Sequence, residues 1–108
     1  MCRFIILKEG DTCTPFEVRD IIRFEACGSY TNVYFINGTS SKQCGYLGDW
    51  QGKVKSSGLF VRIDRSHLVN YQQIISYSRA GGVLLKDKTT RLPLSVEGLI
   101  QLMGLFSL

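Results

Sequence analysis

The densest chemistry in this 108-residue chain lies in one short run, Arg62, Asp64, Arg65, Ser66 and His67. A guanidinium beside a hydroxyl suits phosphate oxygens or the edge of a base, because a fork of donors can match planar or anionic acceptors. A surface turn of solvated charges fits the same residues, and composition alone does not separate the two readings. His67 is the chain's one histidine. No Cys or carboxylate spacing makes it a metal ligand, and a lone histidine supports no triad. It packs on its neighbours or touches a phosphate. Asn70 suits a turn in which it bonds its own main chain.

The flanks say how this run is held. Leu59-Phe60-Val61 precedes it and Leu68-Val69 follows it. Alternation puts Phe60, Arg62 and Asp64 on one face of a strand and Val61 and Ile63 on the other. Two buried anchors thus leave Arg65-Ser66-His67 as a polar crest. Charge is distributed to match. Residues 42–91 carry nine basic against three acidic side chains, a net +6, whereas residues 1–41 carry −1. An anion-binding surface requires such an excess, although a solvated basic face would show it too.

The remaining chain reads as strands and tight turns. Cys2–Leu7 and Thr14–Val18 are predicted strands, with Pro15 keeping the second at an edge or a strand start. A third covers Asp20–Ala26, with Ile22, Phe24 and Ala26 on one face. Cys27-Gly28-Ser29 breaks the pattern before an aromatic and β-branched strand, Tyr30–Ile36. Asn37-Gly38 signals a hairpin with a type I′ turn, returning through Thr39–Gly45. Leu47, Trp50 and Val54 recur at helical spacing and predict a short helix over Leu47–Lys55, with Trp50 as a core anchor. Gly48 and Gly52 each weaken that helix by about 1 kcal/mol relative to Ala. Later strands are Ile74–Tyr77, Val83–Lys86 and Arg91–Leu94, joined by turns at Arg79–Gly82 and Asp87–Thr89. Ser95 caps a final helix, Val96–Phe106, with Glu97 in its first turn and Leu99, Leu102, Met103 and Phe106 facing the core. The sum is a mostly β, antiparallel, multi-sheet domain with one short middle helix and a C-terminal helix.

A chain of this length makes one domain and buries roughly two-thirds of its unfolded surface without covalent staples. Its hydrophobic content of 44% and charged content of 20% exclude a disordered segment. No apolar run approaches the roughly 20 residues of a membrane span, and the start lacks the pattern of a secretory signal. A cytoplasmic location is therefore expected, with Cys2, Cys13, Cys27 and Cys44 as free thiols. No Gly-rich phosphate loop, metal-ligand cluster or carboxylate pair with a base is present, so no enzyme, cofactor or metal is expected.

The run Phe60-Val61-Arg62-Ile63-Asp64-Arg65-Ser66-His67-Leu68-Val69-Asn70 resembles the signature of the LytTR domain, the DNA-binding output domain of LytR/AgrA-type bacterial response regulators. The family pattern is an aromatic, Arg-Ile, a polar residue that is often His, Arg-Ser, an aromatic, and two aliphatics ending in Asn. Asp64 stands where His is common and His67 where an aromatic is common. Asp20–Ala26, Gly28–Thr31 and Leu92–Ser95 match in order, so the resemblance spans about Cys2 to Leu105.

The resemblance implies a compact, elongated β-fold that reads DNA with loops along one edge. Its contacting loops correspond to Gly28–Thr31, Arg65 with its neighbours, and Ser95–Glu97. Arg65 is the implied base contact, since arginine donates two bonds to guanine O6 and N7 in the major groove; a phosphate or carboxylate clamp is its other reading. Ser29, Thr31, Ser66 and Ser95 suit phosphates, and Ser66 could instead close its own turn. Tyr30 enters a groove or packs on the sheet. Lys42, Lys86 and Lys88 add attraction that ignores sequence. The third loop often carries Arg after its serine; here Val96 and Glu97 follow Ser95. Glu97 would repel phosphate, accept from cytosine N4, or serve the helix alone. The expected partner is double-stranded DNA, as direct repeats, with a receiver domain or a second copy as protein partners. The competing expectation is a LytTR-fold protein-interaction domain that binds DNA weakly or not at all.

Overall fold

In the computed structural model, residues 2–87 and 91–106 are described. Among the described residues lie three antiparallel sheets and two α-helices. The strands are β1 Phe4–Glu9, β2 Thr12–Glu17, β3 Ile21–Cys27, β4 Tyr30–Phe35, β5 Ser40–Cys44, β6 Phe60–Arg62, β7 His67–Asn70, β8 Ile74–Ser78, β9 Gly82–Leu85 and β10 Arg91–Leu92. The helices are α1 Leu47–Val54 and α2 Val96–Leu105. β1 and β2 form a hairpin of their own; β5-β4-β3-β7-β6 make the central sheet; β10-β9-β8 make the third. The mostly β architecture with a short middle helix and a C-terminal helix is as the sequence predicts. Among the described residues, no helix is long and apolar enough to cross a membrane.

The central sheet separates two cores, and its alternation assigns residues to each. Phe24, Val33, Phe35 and Leu68 join Trp50, Val54 and the β1 residues Ile5 and Leu7 on one side. Val61, Ile63 and Val69 face Val83, Leu85, Leu92 and Leu102 on the other. β7 is therefore buried along its whole length. Trp50 anchors the first core as expected, stacked 6.0 Å from Phe24, and its indole N–H donates to the Cys44 carbonyl at 3.1 Å. Asp49 takes the Tyr46 N–H at 3.1 Å and so starts α1.

Four details depart from simple alternation. A register shift in β3 between Ile21 and Arg23 turns Ile22 away from Phe24 and Ala26 and into the second core. The expected shared face for Ile22 and Phe24 is thus broken by a bulge, which lets one strand supply both cores. The β4–β5 connection is a three-residue turn over Ile36–Gly38, closed by Gly38 N–H to Phe35 O and Phe35 N–H to Thr39 O, each 3.0 Å. Gly38, at φ +89°, takes the left-handed position, and Asn37 instead accepts from the Thr39 N–H at 3.0 Å. That is a turn with a glycine bulge rather than the two-residue type I′ turn. On α2, Gly98 and Leu102 are the buried positions and Phe106 packs on Tyr71 and Tyr77. Met103, expected inside, is 56% exposed. Asn70 is fully buried with extended backbone; its amide donates to Ile21 O at 3.1 Å and its carbonyl takes the Gln72 N–H at 3.0 Å.

Candidate nucleic-acid interface

The β6–β7 turn is built by hydrogen bonds from its own side chains. Arg62 spreads its guanidinium over the loop: Nε donates to Asp64 O at 2.9 Å, one terminal nitrogen to Arg65 O at 2.7 Å, and the other to Gln51 Oε1 at 2.9 Å. Asp64 Oδ1 accepts the Ser66 N–H at 2.8 Å and lies 2.9 Å from His67 Nδ1. With Arg62 and Asp64 tied in this way, the backbone on both sides of Arg65 is fixed, and Arg65 itself is exposed. A backbone already set by its neighbours spares the ligand that part of the ordering cost, which is what a recognition residue requires.

Two neighbouring regions are fastened to this turn by main-chain bonds. Ala26 N–H donates to Ser66 O at 2.8 Å, which brings the β3–β4 turn alongside. Ser95 N–H donates to Ile63 O at 2.8 Å, which brings the start of α2 to the other side. Gly98 makes this second approach possible: a Cβ there would collide with the Ile63 carbonyl. Arg62, Asp64, Arg65, Ser95, Glu97 and Gln101 consequently line one concavity of about 260 Å³. The three regions singled out in the sequence form one continuous edge.

Not every expected contact is available on that edge. Ser29 and Tyr30 are exposed, and Tyr30, at 44%, lies under the Lys42 ammonium, 5.3 Å from its ring centre. Thr31 is fully buried and its hydroxyl donates to Gly45 O at 2.9 Å. The expectation of a backbone contact is corrected: β4 turns this side chain inward, and its donor is spent on the loop. Ser95 is likewise corrected as a donor, because Oγ donates to Ile63 O at 3.0 Å and accepts Gly98 N–H at 3.0 Å as the helix cap. His67 is 8% exposed, on a strand buried between two cores, and does not reach a phosphate. Ser66 is half-buried and closes the turn through its main chain. Glu97 is exposed.

Lys86 is exposed but is not part of this edge. Its N–H bonds Gln73 O at 2.8 Å, and the next residue, Asp87, lines a groove with Ile36, Gly38 and Thr39. That groove lies at the opposite end of β3 and β4 from Gly28, about 20 Å away at ordinary strand rise. Lys88 and the expected Asp87–Thr89 turn fall outside the described residues in part, so Lys88 is not placed. Two further cations lie near the edge. Arg79 and Arg91, both exposed, line a concavity with Pro93 and Leu94, next to Ser95. The signal available in the sequence was the Gly81-Gly82 turn, which folds β8 and β9 back toward Leu94.

Behind the Arg65 turn runs a charged network. The Arg23 guanidinium, 9% exposed, lies 3.8 Å over the Tyr34 ring and donates to Glu25 Oε1 at 3.1 Å. Tyr34 donates to the same oxygen at 3.0 Å, and Glu25 Oε2 lies 3.3 Å from His67 Nε2. Burial pulls the Glu25 carboxyl up, but bonds from Arg23 and Tyr34 and the charges of Arg23 and His67 outweigh it, leaving it below the ordinary glutamate value. The Tyr34 phenol is pushed up, by burial first and then by the Glu25 carboxylate.

The family profile described as the LytTr DNA-binding domain matches residues 11–107. The chain belongs to the LytTR family of DNA-binding domains. Among solved structures it is similar to a protein described as the LytTr DNA-binding domain of a methyl-accepting/DNA response regulator from Bacillus cereus, with a TM-score of 0.73, 22% identity, and 98% of each chain covered. At that identity the likeness concerns the LytTR fold alone. No curated protein matches the sequence. The LytTR domain is a DNA-binding domain.

Proposed function

We propose that this domain is a sequence-specific transcriptional regulator module that reads major grooves of double-stranded DNA through loops. The observation that carries the reading is Arg65, exposed on a turn whose backbone is held by Arg62 and Asp64. In this reading Arg65 donates its fork to guanine, while Ser29, Tyr30 with Lys42, and Arg79 and Arg91 engage the flanking backbone. Two copies side by side would occupy direct repeats in a bacterial cytoplasm, with a receiver domain supplying the signal.

The test is fluorescence anisotropy against a pool of random duplexes at two salt concentrations. Affinity should fall with salt at a slope of about −0.9 per phosphate neutralised, in log units. Arg65→Ala should lose about 1–3 kcal/mol on the selected site and far less on random duplex. Equal losses on both would make Arg65 a phosphate clamp.

A second reading rests on α2. Val96, Ile100 and Met103 are exposed at 55%, 64% and 56%, and recur at four- and three-residue spacing beside the acidic Glu97. A domain of this fold that docks a protein through α2 and binds DNA weakly would show that surface. In that case wild type would bind duplex no better than a generic basic protein, even at low salt.

A further inference from the structure

We propose that Gln101 is a second base-reading residue, one that takes adenine beside the guanine read by Arg65. The inference deepens the DNA-reading function above and rests on it. Six residues line the concavity between the β6–β7 turn and α2, and three of them are committed to the protein itself. The Arg62 guanidinium is shared between Asp64 O, Arg65 O and Gln51 Oε1. Asp64 Oδ1 holds the Ser66 N–H and meets His67 Nδ1, and the Ser95 hydroxyl is spent between Ile63 O and the Gly98 N–H. All three are half-buried. The other three, Arg65, Glu97 and Gln101, are exposed, and their side chains make no hydrogen bond or ion pair among the described residues.

Those three differ in what they can bond. Arg65 only donates, an ionised Glu97 only accepts, and Gln101 does both from one planar group. Adenine presents a donor beside an acceptor in the major groove, N6–H and N7, which a carboxamide meets with two bonds. A group that only donates or only accepts meets half of that edge. A phosphate offers acceptors alone, and would leave the Gln101 oxygen unused. The other carboxamide at this turn is not free in the same way, since Gln51 Oε1 already accepts from Arg62 at 2.9 Å.

Gln101 stands where it can share a groove with Arg65. It lies four residues beyond Glu97, on the same side of α2 and about 6 Å further along the axis. That is under two base-pair steps of about 3.4 Å. The helix is also fixed against the turn: Ser95 N–H bonds Ile63 O at 2.8 Å, and Gly98 packs on the Ile63 carbonyl where a Cβ would collide. A duplex that seats Arg65 in its groove therefore presents a neighbouring base pair to Gln101 at a set offset.

The test is fluorescence anisotropy on the duplex selected by wild type, with each base pair changed in turn to the other three. Wild type should prefer guanine at one position and adenine at a second, within about two base pairs of it. Gln101→Ala should weaken binding to the adenine site by about tenfold or more and level the four bases there. The guanine preference and the slope against salt should stay as they are, because a neutral side chain releases no counterion. Gln101→Glu, which only accepts, should move the preference at the second position from adenine to cytosine, read as a ratio between duplexes so that the added charge cancels. Circular dichroism should show both variants folded, since the position is exposed. An equal loss at every base in Gln101→Ala would make the residue a backbone contact and overturn the proposal. So would a set of base preferences that Gln101→Ala leaves untouched. If Arg65→Ala still removes the guanine preference in that case, the DNA-reading function stands and only the role of Gln101 falls. A wild type that prefers no base overturns both.

Discussion

The β6–β7 turn and helix α2 meet at the Ile63 carbonyl yet are held in opposite ways. The turn has almost no apolar content of its own between Ile63 and Leu68, and owes its shape to Arg62, Asp64 and His67 bonding inward. The helix is fastened by Gly98, Leu102 and Phe106, and leaves Val96, Ile100 and Met103 outward. Polar bonds fix direction, because they are lost within fractions of an ångström; apolar burial fixes attachment with little regard to orientation. In the proposed reading the recognition residue sits on the turn for that reason, with α2 as the buttress behind it.

The largest expected effect tests the attachment half of this contrast. Leu102 is fully buried in the second core, so Leu102→Ala should cost about 2–5 kcal/mol in chemical denaturation. Met103→Ala, one residue on, should change stability by no more than about 0.5 kcal/mol. A comparable loss at Met103 would mean that something covers the outer face in solution, and the buttress picture would have to include a partner.

The direction half is tested at Arg62. Removing its guanidinium leaves the Asp64 and Arg65 carbonyls without their donor, at a cost of about 1.5–3 kcal/mol. Arg62→Ala should therefore lower duplex affinity while leaving the slope against salt unchanged, since no phosphate contact is removed. A reduced slope would show that Arg62 touches DNA itself.

A smaller effect separates the two regions by pH. The Glu25 carboxyl lies below its ordinary value of 4.5 when folded, so the carboxylate form favours the folded state. That contribution is present in full above 4.5 and is lost as pH falls through the lower folded value. Thermal denaturation should show stability falling on acidification in wild type, with a shallower fall in Glu25→Gln. Leu102→Ala should keep the wild-type slope, because α2 is attached without titrating groups.

These contrasts also show what the sequence could express. The strands, α1 and the faces of Phe60, Val61 and Ile63 were legible because alternation and burial are local properties of the chain. The bulge that sends Ile22 to the second core was not, since nothing in Asp20–Ala26 marks the extra residue until β4 is laid beside it. Met103 was misplaced for a related reason: Leu99, Leu102, Met103 and Phe106 all fit an apolar stripe, and only the narrow contact at Gly98 shows which part faces inward. The site was legible as an edge but not as a set of free donors. Thr31, Ser95 and His67 carry polar side chains of the expected type beside that edge, and each spends its polar atoms on a partner that is distant in sequence or hidden by the fold.

The smallest effect bears on the junction itself. Glu97 shares a concavity with Arg65 and has no basic neighbour in the first turn of α2. If it only repels phosphate, Glu97→Gln should raise duplex affinity by a margin under about 1 kcal/mol, visible at low salt and screened away at high salt. The gain should be the same for every sequence, because a phosphate carries no base identity. If instead Glu97 accepts from the amino group of cytosine, the substitution should lower affinity, and only for duplexes that place a cytosine opposite it. Anisotropy on a site series varied at one base pair distinguishes the two by sign. The first outcome leaves α2 as a buttress that slightly weakens binding; the second makes its first turn a second reading element beside the arginine turn.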